Sequence, residues 1–135
     1  MKTLWVGTNW KMTKTLEDGI RYCNQLIHFS KGLHPEIQLF LNPPYTALTE
    51  IRKITKDSNI RIGSQNAHWE EQGPFTGEIS PKMLHEIGMD MVELGHSERR
   101  QYYNQNDADI NLKGHAVLEY EMRTLGCIGE TKEQK

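Results

Sequence analysis

The apolar residues of this sequence fall into five short runs whose starts recur about every thirty residues. Each run is bounded by glycine, proline, asparagine or charged residues, a pattern typical of buried β-strands. We therefore predict five strands, at residues 3–7, 37–41, 60–64, 90–94 and 123–128.

The segments between these runs show helical patterns. Two contain apolar residues repeating every three or four positions. These stripes are Leu16, Ile20, Cys23 and Ile27, and then Leu48, Ile51 and either Ile54 or Thr55. A third helix is predicted from its end signals, with Ser80 as N-cap, Pro81 at the first helical position and Gly88 just past the end. A fourth should begin at residue 107 or 109 and end near residue 120.

Strands and helices alternate along the chain, which predicts right-handed βαβ crossovers and a parallel sheet. The loop "GTNWKM" after the first strand has neither a GxGxxG nor a P-loop pattern, so nucleotide-binding folds lose their main support. A flavodoxin-like open sheet and part of a (β/α)8 barrel both remain open. Eight repeats of about thirty residues give the roughly 250 residues of such a barrel, and this sequence has about four and a half.

The composition indicates a single domain in a soluble, cytoplasmic protein. Charged residues make up 25% of the chain and the net charge is -2, so nucleic acid is not an expected partner. No apolar run of membrane-spanning length occurs, and no secretory signal pattern, so we expect no membrane association. Cys23 and Cys127 lie outside any CxxC pattern and the histidines lack ligand spacing, so neither a disulfide nor a metal site is predicted.

Polar residues that follow the predicted strands are candidates for function, because loops at the carboxyl ends of parallel strands carry the active sites of such folds. Asn9 and Lys11 would face one side of an extended backbone and suit an anionic ligand, although Lys11 is equally explained as a solvated lysine. His96 can polarise a carbonyl or carry protons, although a lone histidine is more often structural. Ser97 should cap a short helix running through Arg100.

Five motifs, one after each predicted strand, together resemble the triosephosphate isomerase family. They are "GTNWKM", "NPPYTAL", "GPFTGEIS", "GHSERR" and "CIGET". The resemblance covers essentially the whole chain but only the N-terminal half of the family's fold. It implies an α/β fold, the N-terminal half of a (β/α)8 TIM barrel, with residues 1–135 as one partial domain.

The resemblance also implies an aldose–ketose isomerase of glycolysis and gluconeogenesis. Such an enzyme interconverts dihydroxyacetone phosphate and D-glyceraldehyde 3-phosphate through an enediolate, without a cofactor. His96 would be the neutral electrophile at the substrate carbonyl, while Lys11 and Asn9 would bind the phosphorylated sugar. Glu98 matches a buried acid of the family that pairs with the lysine, here Lys11. Without the resemblance, Glu98 is equally explained as an acid that caps the start of a helix. Cys127 is given a packing role behind the site.

The loop "HWEEQGPFTGEIS" should protrude from the fold or dock into a partner. In the family that it resembles, this loop enters the neighbouring subunit, so a homodimer is expected. Thr76 would reach the neighbouring site, and Glu78 and Arg99 would contribute to the interface.

Three departures limit this interpretation. The family's general base, a glutamate after the sixth strand, has no counterpart here, so we expect the chain alone to be incomplete and inactive. Gln105 stands where the family usually has an acid. The stretches "NAHWEEQGPFTGEISP" and "VELGHSERR" are similar to sequences of the family branch that isomerises four-carbon erythrulose phosphates. Glu93 is an acid within a predicted strand, and beyond this similarity its presence is unexplained. A tetrulose phosphate isomerase therefore stays open, as does a non-catalytic half-barrel that associates with a partner chain.

Overall fold

The strands and helices of the fold alternate as the sequence predicts. A computed structural model describes residues 2–135. The strands are β1 (Leu4–Asn9), β2 (Ile37–Asn42), β3 (Ile60–Ser64), β4 (Met91–Leu94) and β5 (Arg123–Gly126). The helices are α1 (Leu16–Ser30), α2 (Leu48–Thr55), α3 (Pro81–Glu86), α4 (Ser97–Tyr103) and α5 (Asp107–Glu119), and a 3-10 turn (Tyr45–Ala47) precedes α2.

The five strands form one sheet in sequential order, and every neighbouring pair is parallel. Asn9 and Asn42, the last residues of β1 and β2, are directly paired. Sequential order excludes the flavodoxin-like alternative, in which the first strand lies inside the sheet. The chain therefore forms half of a (β/α)8 barrel, and the carboxyl ends of all five strands lie along one rim.

Side-chain caps fix where α1, α3 and α5 begin. Thr15 and Asp18 form a reciprocal capping box at the start of α1, and Asn106 and Asp109 form another at the start of α5. The Ser80 side chain accepts a hydrogen bond from the backbone at the start of α3, as predicted. These contacts satisfy amide groups that would otherwise lack partners at each helix start.

A continuous apolar core lies between the sheet and the helices. Its fully buried side chains come from strands and helices alike: Leu41, Leu48, Ile51, Ile60, Ile62, Leu84, Val92, Leu94 and Val117. Apart from Leu16, which is exposed, the first two apolar helical stripes of the sequence supply the inward faces of α1 and α2, which pack against each other. Across residues 2–135, no helix is both long and apolar enough to cross a membrane.

Element boundaries differ from the predictions at three places. β1 continues to Asn9, so this residue is paired in the sheet instead of lying in a loop. β5 ends at Gly126, two residues early, and Ile128 is almost fully exposed. α4 continues past Arg100 to Tyr103 and ends where Asn104 adopts a left-handed conformation with φ of 52°. An asparagine tolerates this conformation better than most residues, which explains the late stop.

Two adjacent residues of α3 test the packing of the core. Leu84 is fully buried, whereas Met83 is half-exposed. Leu84→Ala should lower the free energy of unfolding by about 2–5 kcal/mol, because it leaves a cavity in a close-packed core. Met83→Ala, measured by the same urea titration, is the matched control and should cost much less. Equal losses for the two variants would contradict this packing.

Candidate active site

Lys11 lies on the rim just after β1, in a backbone conformation that neighbouring side chains hold in place. Its φ is 52°, in the left-handed region that costs a non-glycine residue roughly 1–2 kcal/mol. Asn9 Oδ1 accepts a hydrogen bond from the Lys11 amide at 2.6 Å, and Gln65 Nε2 donates to the Lys11 carbonyl at 3.0 Å. The expectation that Asn9 and Lys11 share a side of an extended backbone is therefore wrong, because the strand ends at Asn9.

The Lys11 ammonium forms an ion pair with Glu98, which follows β4. The Nζ–Oε1 distance is 2.7 Å. The hydrogen bond and the charge of Glu98 raise the pKa of Lys11, and the hydrogen bond from Lys11 lowers the pKa of Glu98. The pairing expected for these two residues is present, but the Glu98 side chain is 43% exposed, so it is not a buried acid in this chain.

His96 caps α4 with its own ring, so the prediction that Ser97 would be the cap is wrong. The His96 Nδ1 atom accepts a hydrogen bond from the Glu98 amide at 3.1 Å. A ring nitrogen that accepts a hydrogen bond carries no proton, so the proton of the neutral ring is on Nε2. With Nδ1 as the acceptor, Nε2 is the ring nitrogen left available as a donor.

Gly95 provides the tight turn that brings His96 to the rim. Its φ is 76°, and a Cβ atom there would lie 2.8 Å from Ile110 Cδ1 and 3.2 Å from the Cys127 carbonyl oxygen. Both the conformation and the close approach require glycine. Arg100 Nε donates a hydrogen bond to the Gly95 carbonyl at 2.8 Å and holds the turn.

Glu93 lies buried beneath this rim, at 4% exposure, in a network that the sequence did not predict. Its carboxylate accepts hydrogen bonds from Asn42 Nδ2 at 2.9 Å and from the Cys127 thiol at 3.3 Å. Its charge also contributes to raising the pKa of Lys11. The sequence signal was the acid itself, since a charged residue inside a strand is almost never buried without partners. Cys127 therefore donates a hydrogen bond in addition to packing behind the site.

The three residues predicted for an interface lie together. Thr76, Glu78 and Arg99 all line one cavity of about 460 Å³ between the protruding loop and helices α4 and α5. Gln105 lines the same cavity and is buried. Within residues 2–135, no three His, Cys, Asp or Glu side chains are grouped as a metal site would need.

Comparison with known proteins agrees with this geometry. The sequence model of a protein family described as "Triosephosphate isomerase" matches residues 4–135. The chain belongs to the triosephosphate isomerase family. This is the family that the five motifs resemble, and the half-barrel places those motifs at the carboxyl ends of the strands.

Curated relatives of this chain carry a name different from that of the family model. An L-erythrulose-1-phosphate isomerase of Mesorhizobium japonicum is 44% identical over 97% of the chain and 52% of that protein. One of Brucella abortus is 42% identical over the whole chain and 53% of that protein. A solved triosephosphate isomerase from Bartonella henselae superposes with a TM-score of 0.85 at 36% identity, covering 96% of the chain and 53% of that structure. The chain thus spans about half the length of the relatives that it matches.

The thiol of Cys127 offers a test of the Glu93 network. Burial, followed by the hydrogen bond to Glu93, raises the pKa of Cys127 to about 11. Alkylation by iodoacetamide at pH 8 should therefore be slower than for a free cysteine, by roughly two orders of magnitude. Peptide mass spectrometry separates this site from Cys23, whose pKa burial also raises to about 11.

Glu93→Gln should accelerate labelling of Cys127 several-fold, because the amide still accepts a hydrogen bond but no longer places a negative charge beside the thiolate. Glu130→Gln, an exposed acid near Cys127 in sequence, is the matched control. Unchanged labelling in Glu93→Gln would show that the carboxylate does not act on the thiol.

Proposed function

We propose that this chain forms the electrophile-bearing and substrate-binding half of an isomerase that acts on a phosphorylated ketose. The observation that carries this proposal is the His96 ring, whose Nδ1 accepts the Glu98 amide and whose Nε2 is left as a neutral donor. Lys11 stands beside it in the same loop cluster, tied to Glu98. A neutral donor and a fixed cation are the groups that a developing enediolate needs.

In the proposed reaction, a base removes the proton from the carbon next to the substrate carbonyl. His96 Nε2–H donates a hydrogen bond to the carbonyl oxygen as it gains negative charge, and Lys11 stabilises that charge. The proton then returns to the former carbonyl carbon, while His96 moves a proton from the neighbouring hydroxyl oxygen to the former carbonyl oxygen. The carbonyl is thereby transferred to the adjacent carbon without net oxidation, so no redox cofactor is required. We assign the base to a residue outside this chain, because Glu98 is paired with Lys11 and Glu93 with Asn42 and Cys127.

For the substrate, we propose the four-carbon L-erythrulose 1-phosphate in preference to a triose phosphate. The support is that the curated relatives at 41–44% identity share the name L-erythrulose-1-phosphate isomerase. Interconversion of dihydroxyacetone phosphate and glyceraldehyde 3-phosphate remains the second candidate, supported by the 36% identical triosephosphate isomerase structure.

A fusion protein tests the reaction and the substrate together. Residues 1–135 would be joined to the remaining half of the Mesorhizobium japonicum relative, and turnover of L-erythrulose 1-phosphate and dihydroxyacetone phosphate followed by NMR. We expect kcat/KM to be higher for the four-carbon substrate, and a preference for the three-carbon substrate would support the second candidate. A folded fusion inactive on both would favour a non-catalytic half-barrel.

His96→Gln in this fusion should lower kcat by about 10²–10⁴-fold, the range found for a positioned proton-transfer group. Glutamine keeps a donor of similar reach but cannot exchange a proton with the enediolate. His115→Gln, on the exposed surface of α5, is the control and should leave turnover unchanged. A loss in His96→Gln no larger than in the control would remove this histidine from the proposed mechanism.

We also propose that the protein is a homodimer. The support is a set of exposed apolar side chains on the loops of the rim and on α4, because such patches mark interaction sites. Met12 is 97% exposed and Tyr102 67% exposed, and Phe75 of the protruding loop is also exposed. We assign Thr76, Glu78 and Arg99 to this proposed interface as well.

Sedimentation velocity tests the dimer. Met12→Asp and Tyr102→Asp should each weaken association by about tenfold or more, since a buried charge without a partner opposes docking. Phe29→Asp, an exposed aromatic of α1, should leave association unchanged. A monomer at every concentration of the unsubstituted protein would contradict the proposal.

A further inference from the structure

Glu93 contacts Asn42 across an intervening strand. The sheet order places β3 between β2, which ends at Asn42, and β4, which carries Glu93. Asn42 Nδ2 nevertheless donates to Glu93 Oε2 at 2.9 Å, because Gly63 of β3 leaves the space between them open. A Cβ atom on Gly63 would lie 2.5 Å from Asn42 Oδ1 and closer still to Met91 Cγ. The Asn42–Glu93 contact therefore requires glycine at this position.

Backbone pairing holds the end of β2 from one side only. Asn42 pairs with Asn9 of β1. On the other side, the ladder between β2 and β3 stops at the Leu41–Ile62 pair, one residue before Asn42, in the described part of the chain. Asn42 is fully buried, so water cannot replace Glu93 as the acceptor for its amide. The contact with Glu93 thus ties the end of β2 to the far side of β3.

The carbonyl of Asn42 is attached to the backbone around Lys11. It accepts a hydrogen bond from the Trp10 amide at 3.1 Å and another from Gln65 Nε2 at 2.9 Å. Trp10 directly precedes Lys11, and Gln65 Nε2 also donates to the Lys11 carbonyl. The left-handed conformation of Lys11 persists only while its surroundings hold it. A shift of Asn42 would therefore reach Lys11 through both contacts.

Stability alone does not explain a carboxylate at position 93. Glu93 is 4% exposed, and replacing a buried charge and its partners by apolar groups often leaves a fold equally stable. Met91, two residues earlier on the same face of β4, is apolar and equally buried. A methionine in place of Glu93 would also be apolar, but it would not accept the hydrogen bond that Asn42 donates.

We propose that Glu93 and Asn42 are positioning residues of the active site, which hold Lys11 in its left-handed conformation from beneath the rim. This inference rests on the proposed isomerase function, in which Lys11 stabilises the developing negative charge. Both residues are buried, so they act on the reaction through Lys11 and not by touching substrate. Their loss should therefore lower kcat and leave KM nearly unchanged.

Glu93→Met removes the acceptor but keeps a side chain of similar length. A positive φ brings the amide and α protons of a residue close together, so Lys11 should give a strong NOE between them in the 135-residue chain. We expect this NOE to weaken in Glu93→Met. In the fusion with the half of the Mesorhizobium japonicum relative, kcat should fall by about tenfold or more, the effect of one lost hydrogen bond to a charged group.

A reciprocal exchange tests whether the contact itself matters. Asn42→Asp alone places two carboxylates against each other and should have the same effects as Glu93→Met. Combining Asn42→Asp with Glu93→Gln restores a hydrogen bond between an amide and a carboxylate, with donor and acceptor reversed. The double variant should recover the Lys11 NOE and return kcat to within about threefold of the unsubstituted fusion, a coupling that a double-mutant cycle measures.

Leu84→Ala is the matched control, because it destabilises the core without touching this network. It should lower the melting temperature but leave the Lys11 NOE and the kcat of the folded fusion unchanged. An unaltered Lys11 NOE in Glu93→Met, or a double variant no more active than Asn42→Asp, would overturn the proposal. If the unsubstituted fusion is inactive, the proposed function fails, and the NOE in the 135-residue chain alone decides whether Glu93 holds Lys11.

Discussion

The ion pair between Lys11 and Glu98 connects the loops that follow β1 and β4. The side chains meet because a sequential parallel sheet brings the carboxyl ends of all its strands to one rim. Lys11 adopts a left-handed backbone conformation, whose cost is offset by the hydrogen bond that its amide donates to Asn9 and the one that its carbonyl accepts from Gln65. Glu98 and His96 both lie at the start of α4, where the His96 ring caps the helix. The ion pair to Glu98 therefore also fixes Lys11 relative to this ring, which we propose as the electrophile.

The sequence predicted the fold well because each signal was local and physically simple. Apolar runs of strand length and explicit capping residues are read from neighbouring positions, and Ser80 and Pro81 located the start of α3 correctly. The predictions failed where a side-chain contact, and not a local sequence pattern, determines the structure. No local pattern indicates that His96 rather than Ser97 caps α4, because the ring must turn back onto the Glu98 amide. The left-handed conformation of Lys11 likewise depends on Gln65, fifty-four residues away.

Glu93 shows why part of the candidate site lies beyond single-sequence reasoning. An acid in a strand violates the apolar pattern, which marks it as unusual without telling what it contacts. Its partners, Asn42 and Cys127, come from the ends of two other strands, and only the sheet order brings them together. The same holds for Arg99, Gln105 and Lys113, which line one cavity only because the fold brings α4 and α5 together with the protruding loop.

The charges along the rim bear on where a phosphorylated substrate would be held. Lys11 contributes one formal positive charge, whereas Glu93 and Glu98 contribute two negative charges, one of them buried directly beneath the site. A phosphate group placed here would lie near Glu93 and Glu98 as well as Lys11, so this lysine is not a free cation for it. We infer that the phosphate end of the substrate is bound by donors beyond this rim, and that Lys11 acts mainly on the oxygens that change charge during isomerisation. The chain would then contribute more to the chemical step than to anchoring the phosphate.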